Sequence, residues 1–208
     1  MKSISYKFTE LIIVFVVIPV SFVINYAPIL KLIIGVLGFA YIVYVSLKVE
    51  KIKFQIQENI NWRKFWKATC IKLLLIAVAT SFFMWFTDKE SLFSVLLNKP
   101  ILWILILFFY SFFSVYPQEL IYRTFFFKRY KNILKNKTLF LLVNAMLFSL
   151  AHLLFKNTFV LFFTFIGGAL FAFTYDKTKS TLLVSIEHAI YGCWLFTVGM
   201  GNMLGFPS

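Results

Sequence analysis

Seven stretches of this 208-residue chain are apolar for long enough to cross a lipid bilayer: roughly 8–26, 30–47, 69–87, 100–127, 138–155, 158–175 and 181–198. A helix rises about 1.5 Å per residue, so about 20 residues cross a 30 Å hydrocarbon core. Hydrophobic residues make up 61% of the chain and charged residues only 14%. Soluble domains average roughly 45–50% apolar, and the excess here is a membrane-facing surface rather than a larger core. No internal repeat or low-complexity linker interrupts the runs. The sequence therefore predicts an all-α, polytopic membrane protein, a single domain over 1–208 with about seven transmembrane helices around a polar cavity.

The basic residues give that bundle a direction. Lys2 and Lys7, the cluster from Lys48 to Lys67, the cluster from Lys128 to Lys137, and Lys177 with Lys179 all fall on one side of the predicted topology. Only Lys31, Lys89, Lys99 and Lys156 fall on the other, while Lys72 and Arg123 lie within spans. The positive-inside rule then puts the N-terminus in the cytoplasm and the C-terminus outside. A net charge of +13 raises the question of nucleic acid. The charges gather in short segments between apolar runs, however, and no amphipathic basic face emerges, so anionic lipid headgroups are the expected counter-charge. The richness in Lys, Ile and Phe suggests an AT-rich bacterial genome, and with it a multi-pass protein of the inner cell membrane.

Local features refine the reading. Lys2 and Lys7 before an apolar run resemble a signal peptide, but no small-x-small cleavage site follows, which favours a retained first helix. Gly167 and Gly168 are expected to let the sixth helix approach a neighbour closely. Cys70 and Cys193 read as small buried hydrophobes, and no zinc or redox spacing is present. The fourth run carries Pro117 in its second half. There a proline implies a strong kink or a broken helix with Gln118 and Glu119 in a new first turn, or else a long helix with a mild bend.

The ionisable groups inside the apolar runs stand out. Both histidines of the chain, His152 and His188, lie there, and so do Glu119, Glu187 and Arg123. Such a group in hydrocarbon costs about 2.5–3.5 kcal/mol on insertion scales, so it persists where it pairs, lines a cavity or works. Glu119 and Arg123 are i and i+4, an arrangement that suits either an active site or a pair that merely staples a bend. Phe148 lies one turn before His152 and is placed to shield it. Glu187 shares a helix face with Tyr191, and His188 shares one with Gly192. Counted from the flanking basic loops, Glu119 and His188 are each about 13 Å deep and His152 about 22 Å. One shared site is compatible with those depths without being required by them.

Three stretches in order, Gln118-Glu119-Leu120-Ile121-Tyr122-Arg123, then Phe148-x-x-x-His152, then His188-x-x-x-Gly192, resemble the motifs of the CPBP family. This is the CAAX-protease and bacteriocin-processing group of intramembrane glutamic endopeptidases, which includes the type II CAAX prenyl proteases. The resemblance covers about residues 100–200. It implies a helical membrane protein with a cavity open toward the cytoplasm, acting on a peptide or protein substrate in or near the bilayer. It implies neither a metal nor another cofactor, and no nucleic-acid partner. In the family pattern Glu-Glu-x-x-x-Arg, Phe-x-x-x-His and His-x-x-x-Asn/Asp, the first Glu and first His activate a water, while the second His and the Asn stabilise the oxyanion.

Carried over residue by residue, the resemblance reaches Glu119 and Arg123 of the first motif, His152 of the second with Phe148 shielding it, and His188 of the third; Glu119, His152 and His188 are expected to be catalytic, with Gln118, Arg123, Phe148 and Tyr191 in support. Two positions depart from the pattern. Gln118 stands at the first family Glu and Gly192 at the family Asn. A carboxamide cannot take a proton from water, and glycine offers no side-chain donor to an oxyanion. Three readings follow: an endopeptidase in which Glu119 becomes the base and Tyr191 or Asn144 replaces the lost donor; a catalytically silent relative acting as a binding or immunity-type membrane protein; or a transporter-like component. The topology itself is checked by cysteine labelling from outside the cell. A probe at Asn98→Cys reacts and one at Asn132→Cys does not, and the reverse pattern would contradict the orientation.

Overall fold

A computed structural model describes residues 3–52 and 60–205, which leaves Lys2 and Lys53 of the basic set outside the described residues. All regular structure among these residues is helical. Six helices are long and apolar enough to cross a membrane: α1 (Ile4–Ser21), α2 (Pro28–Val49), α3 (Trp62–Thr87), α5 (Pro100–Tyr130), α6 (Lys137–Phe155 with its terminal turns) and α7 (Thr158–Thr178). A short α4 (Ser94–Asn98) precedes α5. The seventh apolar run forms α8 (Thr181–Thr197), whose 17 residues are at the lower end of what a bilayer core requires.

The helices begin where the sequence supplies caps. Asn61, Asn136, Asn157 and Ser180 each accept a backbone N–H of the first turn, satisfying one of the donors that a helix start leaves open. Pro28 and Pro100 occupy first-turn positions, where a missing N–H costs nothing. Pro19 and Pro117 sit inside helices instead, and the chain adapts in the same way around both. A π-helical stretch, Ile13–Val17 or Tyr110–Val115, directly precedes each short α-helical segment that holds the proline. The wider turn accommodates a ring that would otherwise press on the carbonyl one turn back. α5 therefore runs through Pro117 without a break, and Gln118 and Glu119 do not start a new helix. A second π stretch, Leu120–Phe125, follows at once.

The chain divides into two compact units, one of Met1–Gln55 with Leu120–Lys179 and the other of Ile56–Glu119 with Ser180–Ser208. The first holds α1, α2, the end of α5, α6 and α7. Its tightest helix pair is α6 with α7, where a Cβ on Gly168 would meet the Ala145 backbone at 3.2 Å and the Phe148 ring at 3.1 Å. Gly168 is thus the close-approach residue of the expected pair, since Gly167 faces only a ring of its own helix, Phe171.

A buried ionic cluster joins the ends of α1, α2 and α5. Glu10 accepts from Arg129 Nε at 2.8 Å, Arg129 Nη2 at 2.9 Å and the Tyr130 hydroxyl at 2.6 Å. Arg129 Nη1 donates to Glu50 at 2.6 Å, and Lys7 donates to the Arg129 carbonyl at 3.2 Å. Residues 7, 50 and 129 meeting at one end of this unit agree with the grouping of their flanking basic segments.

The second unit packs α3, α4, the first part of α5 and α8. Trp194 Nε1 donates to Thr80 Oγ1 at 2.9 Å, and Trp103 Nε1 donates to Thr197 Oγ1 at 3.0 Å. Val95, Ile106 and Phe196 form a buried apolar cluster beside them. After α8 the chain turns at Gly199, whose φ of +104° and close approach to the Ser91 carbonyl leave no room for a Cβ. The cysteines do not match the expectation of burial. Cys70 is exposed because α3 turns much of its apolar surface outward, Leu74, Leu75, Val78 and Phe82 included, and Cys193 on α8 is only half-buried.

The Glu10–Arg129 cluster is a stability element, with Arg129 only 1% exposed and Glu10 5%. Removing one partner strands a buried charge, so Arg129→Met lowers unfolding free energy in detergent by about 3–5 kcal/mol. The double variant Glu10→Met/Arg129→Met recovers most of that loss. A double variant no more stable than the single one would contradict the role assigned to the cluster.

Candidate active site

In the second unit α5 and α8 bring together the two best candidates of the sequence. His188 Nδ1 lies 2.8 Å from Glu119 Oε1, with Glu119 fully buried and His188 5% exposed. At that distance the ring N–H donates to the carboxylate, which fixes the tautomer or the imidazolium and leaves Nε2 to act elsewhere. Gln118, one residue earlier, donates through Nε2 to Ser114 Oγ on its own helix at 2.7 Å. Its Oε1 is buried and has no hydrogen-bond partner among the described residues.

The adjacent Glu187 points to a different neighbourhood, as residues about 100° apart on a helix must. It is fully buried, paired with Lys72 of α3, and accepts from the Tyr191 hydroxyl at 2.9 Å, with the Thr69 carbonyl 3.3 Å from that same hydroxyl. The expected i, i+4 relation of Glu187 and Tyr191 is thus realised as a hydrogen bond. It also ties up the Tyr191 hydroxyl, which holds a carboxylate in place. Lys72, half-buried inside a span, is a site residue that the sequence marked only as an intramembrane cation. Its partner is 115 positions away, and no local pattern links the two.

The first unit holds the remaining candidates. Arg123 is fully buried and donates to Asn144 Oδ1 at 2.6 Å and to the Gly168 carbonyl at 3.2 Å, with its guanidinium 5.0 Å from the Phe148 ring centroid. Asn144 in turn donates to the Tyr122 carbonyl at 2.7 Å. Asn144, named from the sequence as a possible oxyanion donor, therefore has both its amide oxygen and its amide nitrogen engaged. Arg123 lies in the π-helical stretch from Leu120, whose i→i+5 bonding gives an angular spacing different from that of an α-helix.

His152 lies just past α6, at φ −90° and ψ 3°, a sparsely populated conformation in which many active-site residues sit. Its Nδ1 is 2.8 Å from the Phe148 carbonyl, and the two rings lie 4.9 Å apart. Phe148 covers the imidazole from one turn back.

A residue missed in the sequence completes the second unit's site. Tyr110, at the first position of the π stretch before Pro117, lies edge-on to His188 with ring centroids 6.0 Å apart. Nothing in an aromatic-rich apolar run distinguished it from the phenylalanines beside it.

Residues 100–194 match the family model described as type II CAAX prenyl endopeptidase Rce1-like, so the resemblance carried by the three motifs holds over the stretch that contains them. At family level the match indicates an intramembrane protease of the CAAX type. Searches of curated proteins and of solved structures found no match.

The Lys72–Glu187 pair yields a prediction of its own. Lys72→Met leaves a fully buried carboxylate without its cation and lowers the unfolding free energy by up to about 3 kcal/mol, the low end for a broken buried pair because Lys72 is partly exposed. Lys72→Met/Glu187→Gln is milder than the single change. Unfolding in detergent reads both, and an unchanged midpoint for Lys72→Met would exclude a contribution from the pair.

Proposed function

We infer that this protein is an intramembrane endopeptidase of the glutamic type, hydrolysing peptide bonds of membrane-associated or lipid-proximal substrates. The buried Glu119–His188 hydrogen bond carries the reading. A carboxylate and an imidazole covered by protein inside an apolar helix pair are costly to keep there, and their joint chemistry is that of proton transfer and oxyanion stabilisation.

In this reading Glu119 takes a proton from a water as the water oxygen attacks the scissile carbonyl carbon. The carbonyl π electrons move to oxygen, and His188, in this reading an imidazolium whose Nδ1–H is held by Glu119, donates a hydrogen bond from Nε2–H to the resulting oxyanion. Collapse of the tetrahedral intermediate breaks the C–N bond, and the proton held by Glu119 goes to the departing amine. Gln118 cannot take a proton, but its Oε1, without a hydrogen-bond partner among the described residues, accepts a hydrogen bond from the attacking water and orients it. His152 is assigned to water activation on its motif, and Arg123 and Phe148 to support of that segment. The substrate is a peptide or protein in or near the bilayer, and no cofactor enters the scheme.

A second reading is favoured by Gln118 itself. It stands where the family pattern has a carboxylate, and its amide is bonded to Ser114. Under it the protein binds a peptide or partner without cleaving it.

Mass spectrometry of a peptide pool incubated with the protein in detergent separates the two. The pool holds peptides with and without a farnesylated C-terminal cysteine. In the endopeptidase reading the wild type cleaves, Glu119→Gln and His152→Ala each abolish cleavage, and Gln118→Ala slows it without abolishing it. Cleavage that appears only in Gln118→Glu supports the silent relative, and wild-type cleavage that survives Glu119→Gln rejects Glu119 as the base.

A further inference from the structure

We propose that Tyr110 supplies the oxyanion donor that Gly192 lacks, its phenol taking the space in which the family pattern has an asparagine side chain. The inference rests on the endopeptidase reading and names a further catalytic residue within it.

The geometry comes from both sides of one contact. A Cβ added to Gly192 would fall inside the Tyr110 phenol, against its Oη, Cε1 and Cζ. The hydroxyl of Tyr110 therefore lies within a side chain's length of the place where an asparagine amide at 192 would begin. Glycine at 192 is required by the ring, and the ring makes up for the glycine. Gly192 is one turn beyond His188 on α8, on the same face, so a donor at this spot points to the same side of the helix as the His188 ring. The Tyr110 ring stands edge-on to that imidazole at 6.0 Å between centroids and packs edge-to-face with Phe196 at 4.8 Å.

The competing donors are occupied. Tyr191 donates to Glu187, and Asn144 is held by Arg123 and the Tyr122 carbonyl. The Tyr110 hydroxyl makes no hydrogen bond among the described residues. The backbone contributes as well. Tyr110 opens the π stretch that precedes Pro117, and a strictly α-helical turn there would aim its side chain differently. In the hydrolytic step Tyr110 Oη–H and His188 Nε2–H then donate together to the carbonyl oxygen as it becomes negative. No proton is transferred from the phenol, and no bond to it forms.

The test uses the full-length protein in detergent, in the wild-type and Gln118→Glu backgrounds, with the same peptide pool. Tyr110→Phe keeps the ring and removes only the donor. Its expected effect is a fall in kcat of about 100- to 1000-fold, the usual loss for one oxyanion donor. KM and the unfolding midpoint stay near their starting values, which a merely structural role for the hydroxyl would not give.

The steric half of the proposal is read separately. Gly192→Asn alone lowers the unfolding midpoint, whereas Tyr110→Ala/Gly192→Asn regains stability and is more active than Tyr110→Ala. Full activity in Tyr110→Phe overturns the donor role while leaving the endopeptidase reading intact. No cleavage in either background overturns the endopeptidase reading and the donor role with it. Equal damage by Gly192→Asn with and without the Tyr110 ring overturns the exchange of space.

Discussion

An ionisable side chain surrounded by hydrocarbon must find its counterpart inside the protein, and most of the polar architecture of this chain follows from that requirement. Three clusters meet it in different ways. Glu10 and Arg129 join three helix ends in a cluster whose carboxylate is bonded to a guanidinium and to two phenols, Tyr41 and Tyr130, an arrangement that leaves little chemistry over. Glu187 and Lys72 neutralise each other and hold Tyr191. Glu119 and His188 differ from both. Theirs is a pair of two groups that can each exchange a proton, so the bond that stabilises them also equips them to react.

The helix geometry around this pair is shaped by Pro117. A proline within a span removes an N–H and crowds the preceding turn, and α5 responds with π-helical stretches on both sides of the segment Tyr116–Glu119. Those stretches include Tyr110 at one end and Arg123 at the other. A strictly α-helical α5 would aim both side chains differently. The same device stands at Pro19 in α1, and a further π stretch, Val45–Val49, closes α2 with no proline beside it, so π turns in this chain are neither confined to prolines nor a signature of the candidate site.

Much of the fold was legible because hydrophobic run length is a direct reading of bilayer thickness. The run at 158–175 became Thr158–Thr178 and that at 138–155 became Lys137–Phe155. The candidate residues were legible because charge in an apolar run is conspicuous: Glu119, His188 and Arg123 are buried, and each has polar partners. What escaped was whatever depends on contacts distant in sequence. Glu10 falls near the start of the first apolar run and drew no assignment from the sequence, yet it is the acceptor for Arg129, 119 positions away. Lys72 looked like an isolated cation until Glu187 was placed beside it. Tyr110 carried no signal at all, since one hydroxyl among many aromatic rings acquires meaning only from the missing Cβ at Gly192. Tyr191 and Asn144 were sound donor candidates by residue type, and each is committed by neighbours that periodicity does not predict.

That the chain has only two histidines makes the central pair open to direct measurement. In the ¹⁵N spectrum of protein labelled at histidine, two imidazole spin systems are expected, and His152→Ala identifies the one belonging to His188. If Glu119 accepts from His188 Nδ1–H, as the account holds, Glu119→Gln displaces the Nδ1 resonance of His188 and leaves its helix folded. An Nδ1 resonance of His188 unmoved by that substitution would contradict the bond, and with it the hydrolytic centre proposed on Glu119 and His188.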